Sequence, residues 1–177
     1  EQVIDSTDFY RKNWGIYAKY DLGMESLHIF QLFMIYFMGI CNYFFLMCGR
    51  GTGKSFLTSL CAFITCLLYP KSTVVITATT KPTARKMVKN KMEKELCGGF
   101  SPKLKYLYDN GYIKFKYSEE ETSVNFLFNG SKILVLPEVE ASAGERATLL
   151  IFEEVRLSKQ NIINRIRVQT SQNEMQY

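Results

Sequence analysis

The residues Gly49-Arg50-Gly51-Thr52-Gly53-Lys54-Ser55 place glycines, a lysine and hydroxyls in an order that suits phosphate. Glycines let successive backbone N–H groups turn inward around phosphate oxygens. A helix starting near Lys54 adds the positive end of its dipole. Lys54 is then placed to reach the β- and γ-phosphates of a nucleoside triphosphate, and Ser55 to offer its hydroxyl to Mg²⁺. The flanks agree with this reading. Tyr43-Phe44-Phe45-Leu46-Met47 reads as a hydrophobic strand, and Phe56, Leu57, Leu60, Phe63, Ile64 and Leu67 recur at a helical spacing. One position departs from the usual phosphate-loop pattern. Its first glycine falls at Cys48, with Gly49 one place later.

Phosphoryl transfer needs a metal and a positioned water as well. Leu149-Leu150-Ile151-Phe152-Glu153-Glu154 supplies apolar strand residues followed by two carboxylates. At the C-terminal edge of an open α/β sheet, where ligands bind, Glu153 would hold Mg²⁺ and Glu154 would polarise the attacking water. Glu153 stands where aspartate is usual. The alternative is a strand end with a solvated acidic turn. Arg50, inside the loop, can swing onto the γ-phosphate. Arg146, just before the acidic strand, can act as an arginine finger in cis or across a subunit contact, or can simply pair with Glu145. Gln31 carries an amide that could read adenine's edge, or cap a neighbouring backbone group.

The elements that must position these groups follow from periodicity. Residues 1–25 are mixed and polar and read as an N-terminal arm, with Trp14, Tyr17 and Tyr20 as anchors. Residues 26–177 read as the catalytic domain. A buried helix over 26–38 leads to the strand at 43–47 and the glycine loop. The helix from Lys54 closes at Pro70. Thr73-Val74-Val75-Ile76-Thr77 reads as a buried strand, and a second helix starts near Lys81 and ends at Gly98-Gly99. Val124, Phe126 and Phe128 alternate with polar residues, Asn129-Gly130 makes a tight turn, and Ile133 and Val135 alternate again, which is a β-hairpin signature. Ile113, Phe115 and Tyr117 suggest a third antiparallel strand. A last helix, capped by Ser158, carries Ile162, Ile163 and Ile166. This is an α/β layout, with a mainly parallel central sheet flanked by helices and an antiparallel hairpin inserted.

Composition sets the outer limits. With 177 residues, 47% hydrophobic and 22% charged, the chain suits one packed domain and excludes a disordered tail or a disulfide-stapled miniprotein. Lys plus Arg exceed Asp plus Glu by 22 to 17, for a net +5, which permits a polyanionic partner without requiring one. Arg85, Lys86, Lys89, Lys91 and Lys94 on the second helix could take DNA phosphates or form a solvated face. The 5 cysteines include no CxxC pair and read as reduced core thiols, and the lone His28 argues against zinc. The first residues are polar rather than signal-like. Residues 27–48 are apolar but divide into a helix and a strand, each too short to cross a bilayer, so no membrane partner is expected.

The phosphate loop, Gln31 ahead of it, the run Val74-Val75-Ile76-Thr77-Ala78-Thr79-Thr80 leading to Ala84, and Gly144-Glu145-Arg146-Ala147-Thr148 before the acidic strand together resemble the large terminase subunit of tailed bacteriophages. The similarity spans about residues 27–157. It implies a RecA-like phosphate-loop NTPase fold of the ASCE type. It implies a motor that hydrolyses ATP with Mg²⁺ and drives double-stranded DNA into a procapsid in the host cytoplasm. A portal protein and a small terminase subunit would be its partners, and the active form would be a homo-oligomeric ring. The family's proposed sensor or finger arginines match Arg50 and Arg146. The family's C-terminal nuclease is not expected here, since residues 155–177 hold a single acid, Glu174. Whether the ATPase domain continues past Tyr177 is left open. Two other functions fit the residues: a helicase-like translocase, and a nucleotide-binding module without competent hydrolysis.

Overall fold

The computed structural model describes residues 2–49, 51–78, 81–118, 122–137 and 147–152. The helices are α1 (Gln2–Lys12), α2 (Trp14–Ile16), which runs on as a wider π-type turn (Tyr17–Asp21), α3 (Ile29–Ile40), α4 (Lys54–Leu68), α5 (Lys81–Met87), continued by a π-type stretch (Val88–Phe100), and α6 (Pro102–Asp109). The strands are β1 (Thr73–Ala78), β2 (Ile113–Tyr117), β3 (Thr122–Phe126), β4 (Ser131–Pro137) and β5 (Leu149–Phe152). They form a single sheet in the order β2-β3-β4-β1-β5. The expected helix after Ser158 lies outside the described residues. Among the described residues, no helix is long and apolar enough to cross a membrane.

The sheet is mixed, which corrects the expectation of a mainly parallel one. β1 runs parallel to both β4 and β5, while β2, β3 and β4 are antiparallel neighbours. The hairpin expected around Asn129-Gly130 forms, with Thr122 opposite Val135 and Phe126 opposite Ser131. It is not a separate insertion, because β4 pairs along its whole length with β1. Ile133 and Val135 belong to the same buried core as Val74 and Ile76, so one face of β4 and one face of β1 share a single set of helices.

The turn at Asn129-Gly130 is fixed from several sides. Gly130 has φ 73°, a left-handed conformation that favours glycine. The Asn129 side chain donates to Cys66 O at 2.7 Å and accepts from Ser131 N–H at 3.0 Å. The Ser131 hydroxyl donates to Tyr69 O at 3.1 Å, so the turn is tied to the end of α4.

α4 is the central helix. Phe56, Leu57, Leu60, Phe63, Ile64 and Leu68 are all buried, and Phe63 meets Phe126 edge-on with centroids 5.3 Å apart. Arg11 of α1 donates to Leu68 O from two guanidinium nitrogens, at 3.1 and 3.0 Å, placing a cation at the helix's negative end. Tyr69 lies under the same guanidinium.

The N-terminal residues join this core. Trp14, Tyr17, Leu22 and Met24 are buried in it, whereas Tyr20 is exposed. α2 can approach α3 because Gly39 faces Trp14: a Cβ there would come within 2.7 Å of the indole. α6, which the periodicity did not reveal, is capped by Ser101. Its hydroxyl accepts from Leu104 N–H at 3.2 Å and donates to Leu22 O at 2.7 Å. Of the five free cysteines, Cys61, Cys66 and Cys97 are buried, Cys48 is half-buried and Cys41 is exposed.

A second correction concerns residues 43–47. They form no strand, and Tyr43, Phe45 and Met47 are 67%, 70% and 81% exposed. Apolar character alone does not make a strand, because the backbone groups need a neighbour to pair with. β1 holds the place between β4 and β5, and residues 43–47 enter no ladder of this sheet.

Candidate nucleotide site

The sheet's connectivity sets the position of the glycine loop. α4 reaches β1 through residues 69–72 and packs on β1, β4 and β5. A connection that short makes the helix run back against β1. Its first residue, Lys54, therefore lies at the edge where the parallel strands end, at Ala78, Pro137 and Phe152. That is the edge where open α/β sheets take their ligands.

The loop itself has the backbone that the sequence implies. Gly51 has φ 82° and Gly53 has φ 78°, both left-handed, and Gly53 is the N-cap residue of α4. A Cβ added at Gly49 or Gly51 would meet nothing within 4 Å, so the space beside these two glycines is open. Thr52 Oγ1 donates to Gly49 O at 3.0 Å, closing the turn from within. The Lys54 ammonium folds back over the loop, donating to Cys48 O at 2.7 Å and Gly49 O at 2.6 Å. Three N–H donors on a flexible stem let that ammonium exchange carbonyl partners for phosphate oxygens without moving the backbone. Cys48, the departure from the usual glycine, thus contributes through its carbonyl, which any residue supplies. Sequence spacing had no signal for this role.

Ser55 follows at the first turn of α4, where its backbone carbonyl accepts from Ser59 Oγ at 2.7 Å and from Thr58 Oγ1 at 3.2 Å. Exposed N–H groups at a helix start, open glycines and a lysine form a set suited to an anion. The residues present fit a nucleoside triphosphate's phosphates. Lys54 and the loop amides would hold them, Ser55 would face a divalent cation, and the cation would supply Lewis-acid polarisation of the γ-phosphate.

Gln31 is brought to this loop by α3. Its Oε1 accepts from His28 N–H at 3.0 Å, part of the cap that starts the helix. Its Nε2 lies 3.5 Å from where a Gly53 Cβ would stand. So the backbone-capping alternative is realised on one side of the amide, while the other side faces Gly53 of the glycine loop. Arg50, Arg146, Glu153 and Glu154 lie outside the described residues. Among the described residues, no three His, Cys, Asp or Glu side chains gather as a metal-binding group.

A second polar cluster lies away from the loop. Glu93 accepts from Tyr108 OH at 2.9 Å and from Tyr117 OH at 2.7 Å, tying the π-type stretch to α6 and β2. It joins three elements and reads as structural.

Comparison with known proteins adds one match. A family model described as the terminase large subunit, T4likevirus-type, N-terminal, covers residues 45–174. Neither the curated proteins nor the solved structures give a match. The family match spans most of the chain and takes in the glycine loop, α4 and all five strands. The chain belongs to the large terminase subunit family, in its N-terminal part, and this membership supports a role in phage DNA packaging.

Proposed function

We propose that this chain is the ATP-hydrolysing part of a terminase motor that moves double-stranded DNA into a procapsid. The observation that carries the reading is the glycine loop. Two left-handed glycines, the start of α4 and the Lys54 ammonium converge at the C-terminal edge of parallel strands, inside the family match. In this reading Gly49, Arg50, Gly51, Thr52, Gly53, Lys54 and Ser55 hold the triphosphate, and Gln31 contacts the nucleotide. Ser55 and Glu153 hold Mg²⁺. Glu154 orients the attacking water, and Arg50 or Arg146 offsets charge on the γ-phosphate in the transition state. The active form is a ring at the procapsid portal in the host cytoplasm, where a neighbour supplies or completes the arginine. The portal protein and small terminase subunit are its partners.

Steady-state ATP hydrolysis, measured against protein concentration with and without duplex DNA, tests the reading. Removing one preorganised charge at a phosphoryl-transfer site typically costs about 100- to 1,000-fold in rate. Lys54→Ala and Glu154→Gln are each expected to lose at least about 100-fold. Turnover equal to the parent's in Lys54→Ala would overturn the assignment of the site. Tight binding of ATP by the parent with no turnover, at high concentration and with DNA, would leave a nucleotide-binding module instead.

A further inference from the structure

The two halves of the sheet are coded differently. β3 alternates, with Val124 and Phe126 buried against the helices and Ser123 and Asn125 on the other face. β1, β4 and β5 do not alternate. Val74-Val75-Ile76, Ile133-Leu134-Val135-Leu136 and Leu149-Leu150-Ile151-Phe152 are unbroken apolar runs. In parallel strands such runs are the mark of cover on both faces. Val74, Ile76, Ile133, Val135, Leu149 and Ile151 pack with the helices on the first face. Register sets the others in a row on the second: Leu134 lies beside Val75, and Val75 beside Leu150. One pleat further on, Leu136 and Phe152 flank Thr77. Val75 is 2% exposed, Leu134 5% and Thr77 0%, and Ser123, opposite Leu134, is also fully buried. The cluster around Val75 and Leu134 takes in Leu136, Ala147 and Leu150, and no described helix residue belongs to it. The second face of the parallel half is thus buried, and no described helix supplies the cover.

Chirality decides which way the chain runs over this face. The connection from β1 to β4 carries α5, the π-type stretch and α6, whose buried residues lie on the first face. Parallel crossovers are right-handed, so the return from β4 past β1 to β5 runs over the second face. Ala147, at the end of that return, packs there as this requires. Residues 138–146 of the return hold one large aliphatic side chain, Val139, among charged and small residues, too little to cover a row of leucines. We propose that residues 158–168 dock on this face as an amphipathic helix, with Ile162, Ile163 and Ile166 against Val75, Leu134 and Leu150. That spacing puts the three isoleucines on one side of a helix and Asn164 on the other. A helix over 158–168 is about 16 Å long, close to the roughly 20 Å of β1. β5 ends at Phe152, and residues 153–157 form a link of ordinary length for reversing the chain at a sheet edge. A second copy is the poorer occupant, because a stable interface needs about 800 Å² from each partner and the centre of this patch is already buried within one chain. The consequence for catalysis rests on the ATPase reading. Glu153 and Glu154 fall in the link, so docking would hold both carboxylates at the edge where Lys54 lies.

Amide hydrogen exchange of the whole chain, followed on peptides by mass spectrometry, tests the docking. In dilute protein, amides over residues 162–168 are expected to exchange at least about tenfold slower than in an unstructured chain. Ile163→Asn/Ile166→Asn is expected to abolish that protection and to speed exchange in β1 and β5, while α3 keeps the parent's rate. Ile163→Leu/Ile166→Leu and Asn164→Gln should both exchange as the parent does. If the asparagine variant fails to fold, the milder Ile166→Val reads the same shift at smaller size, with α6 unchanged. The asparagine variant should also bind a fluorescent ATP analogue as the parent does and lose more than about tenfold in turnover, since misplacing a group by about 1 Å can cost about 100-fold. Exchange over 162–168 at the unstructured rate in the parent overturns the docking. So does faster exchange confined to α3 and residues 43–47 in the asparagine variant, which would put the segment on that face instead. Protection that appears only as protein concentration rises overturns it in favour of a second copy. Unchanged turnover in a variant that has lost protection overturns the hold on Glu153 and Glu154. A parent that shows the protection and never turns over ATP supports the docking and overturns the ATPase reading.

Discussion

Residues 43–47 and β1 (Thr73–Ala78) are both short apolar runs, each beside a helix that flanks the glycine loop, and they end up in opposite environments. Val74 and Ile76 are fully buried and Val75 nearly so, whereas Phe45 and Met47 are among the most exposed apolar residues described. The difference is pairing. β1 has β4 on one side and β5 on the other, both parallel and in register. Residues 43–47 have no strand neighbour among the described residues. The outer face of α3 shares their exposure, with Ile29, Phe30, Phe33, Tyr36, Phe37 and Ile40 at helical spacing. A run's hydrophobicity says that it gains by burial; only a partner with free backbone groups and a matching face decides whether burial happens.

That contrast can be broken by substitution. Ile76→Ala removes a fully buried side chain from the middle of the ladder and is expected to cost about 2–5 kcal/mol of unfolding free energy. Phe45→Ala removes a larger side chain from solvent and is expected to stay within about 0.5 kcal/mol of the parent. Denaturant midpoints of the two variants measure both. Equal losses would show that residues 43–47 are packed in solution, and the contrast would fail.

A smaller effect separates the loop from the rest of α4. Gly53→Ala puts a Cβ on a residue with φ 78°, which costs about 1–2 kcal/mol for a non-glycine residue. The same Cβ would stand 3.5 Å from Gln31 Nε2. Thermal melting should fall by a few degrees, and binding of an ATP analogue should weaken beyond what that loss of stability explains. An unchanged ATP-analogue affinity would mean that the left-handed N-cap is a structural turn only.

These elements also show what the sequence could and could not tell. The hairpin was legible because its signal is local. Asn129-Gly130 dictates the turn, and alternation on either side dictates the faces, so β3 and β4 follow within a few residues. The glycine loop was legible for the same reason, since positive φ at Gly51 and Gly53 is a property of those residues. The sheet's mixed character was not legible. It depends on β4 choosing β1 as its second neighbour, a contact between segments about 60 residues apart with no local trace. The strand expected at residues 43–47 failed on the same point. α6 was missed because its apolar face is short, although Ser101 before Pro102 is a recognisable start. Gln31 was singled out for its amide, but its proximity to Gly53 depends on how α3 packs against α4, which periodicity does not encode.

The cysteines carry the comparison into pH dependence, with the smallest effect. Cys41 is exposed and Cys48 half-buried, both before the loop, while Cys61, Cys66 and Cys97 are buried in the core. Burial disfavours the thiolate and raises all three buried thiols, Cys61 among them, with Cys66 and Cys97 pushed up from 9.0 to about 12; Glu93 and Asp109 add to the rise at Cys97, while a hydrogen bond with Ser72 partly opposes it at Cys66. The native state therefore keeps these protons while the unfolded chain releases them above about pH 9. Their contribution to stability is fully present below pH 9 and falls as pH rises toward 12. At pH 9.5 the loss is under about 1 kcal/mol per thiol, since one pKa unit corresponds to about 1.4 kcal/mol. Tyr17, Tyr108 and Tyr117 are raised too, and act in the same direction. The part due to Cys66 and Cys97 is isolated by comparing the parent with Cys66→Ala/Cys97→Ala at pH 7.5 and 9.5, where the variant should lose less stability between the two. In the folded parent, an alkylating reagent at pH 8 should modify Cys41 and Cys48 first and reach Cys66 and Cys97 only on unfolding. Early labelling of Cys66 would show that the end of α4 opens without global unfolding, and that the antiparallel half of the sheet is less secure than its local coding implies.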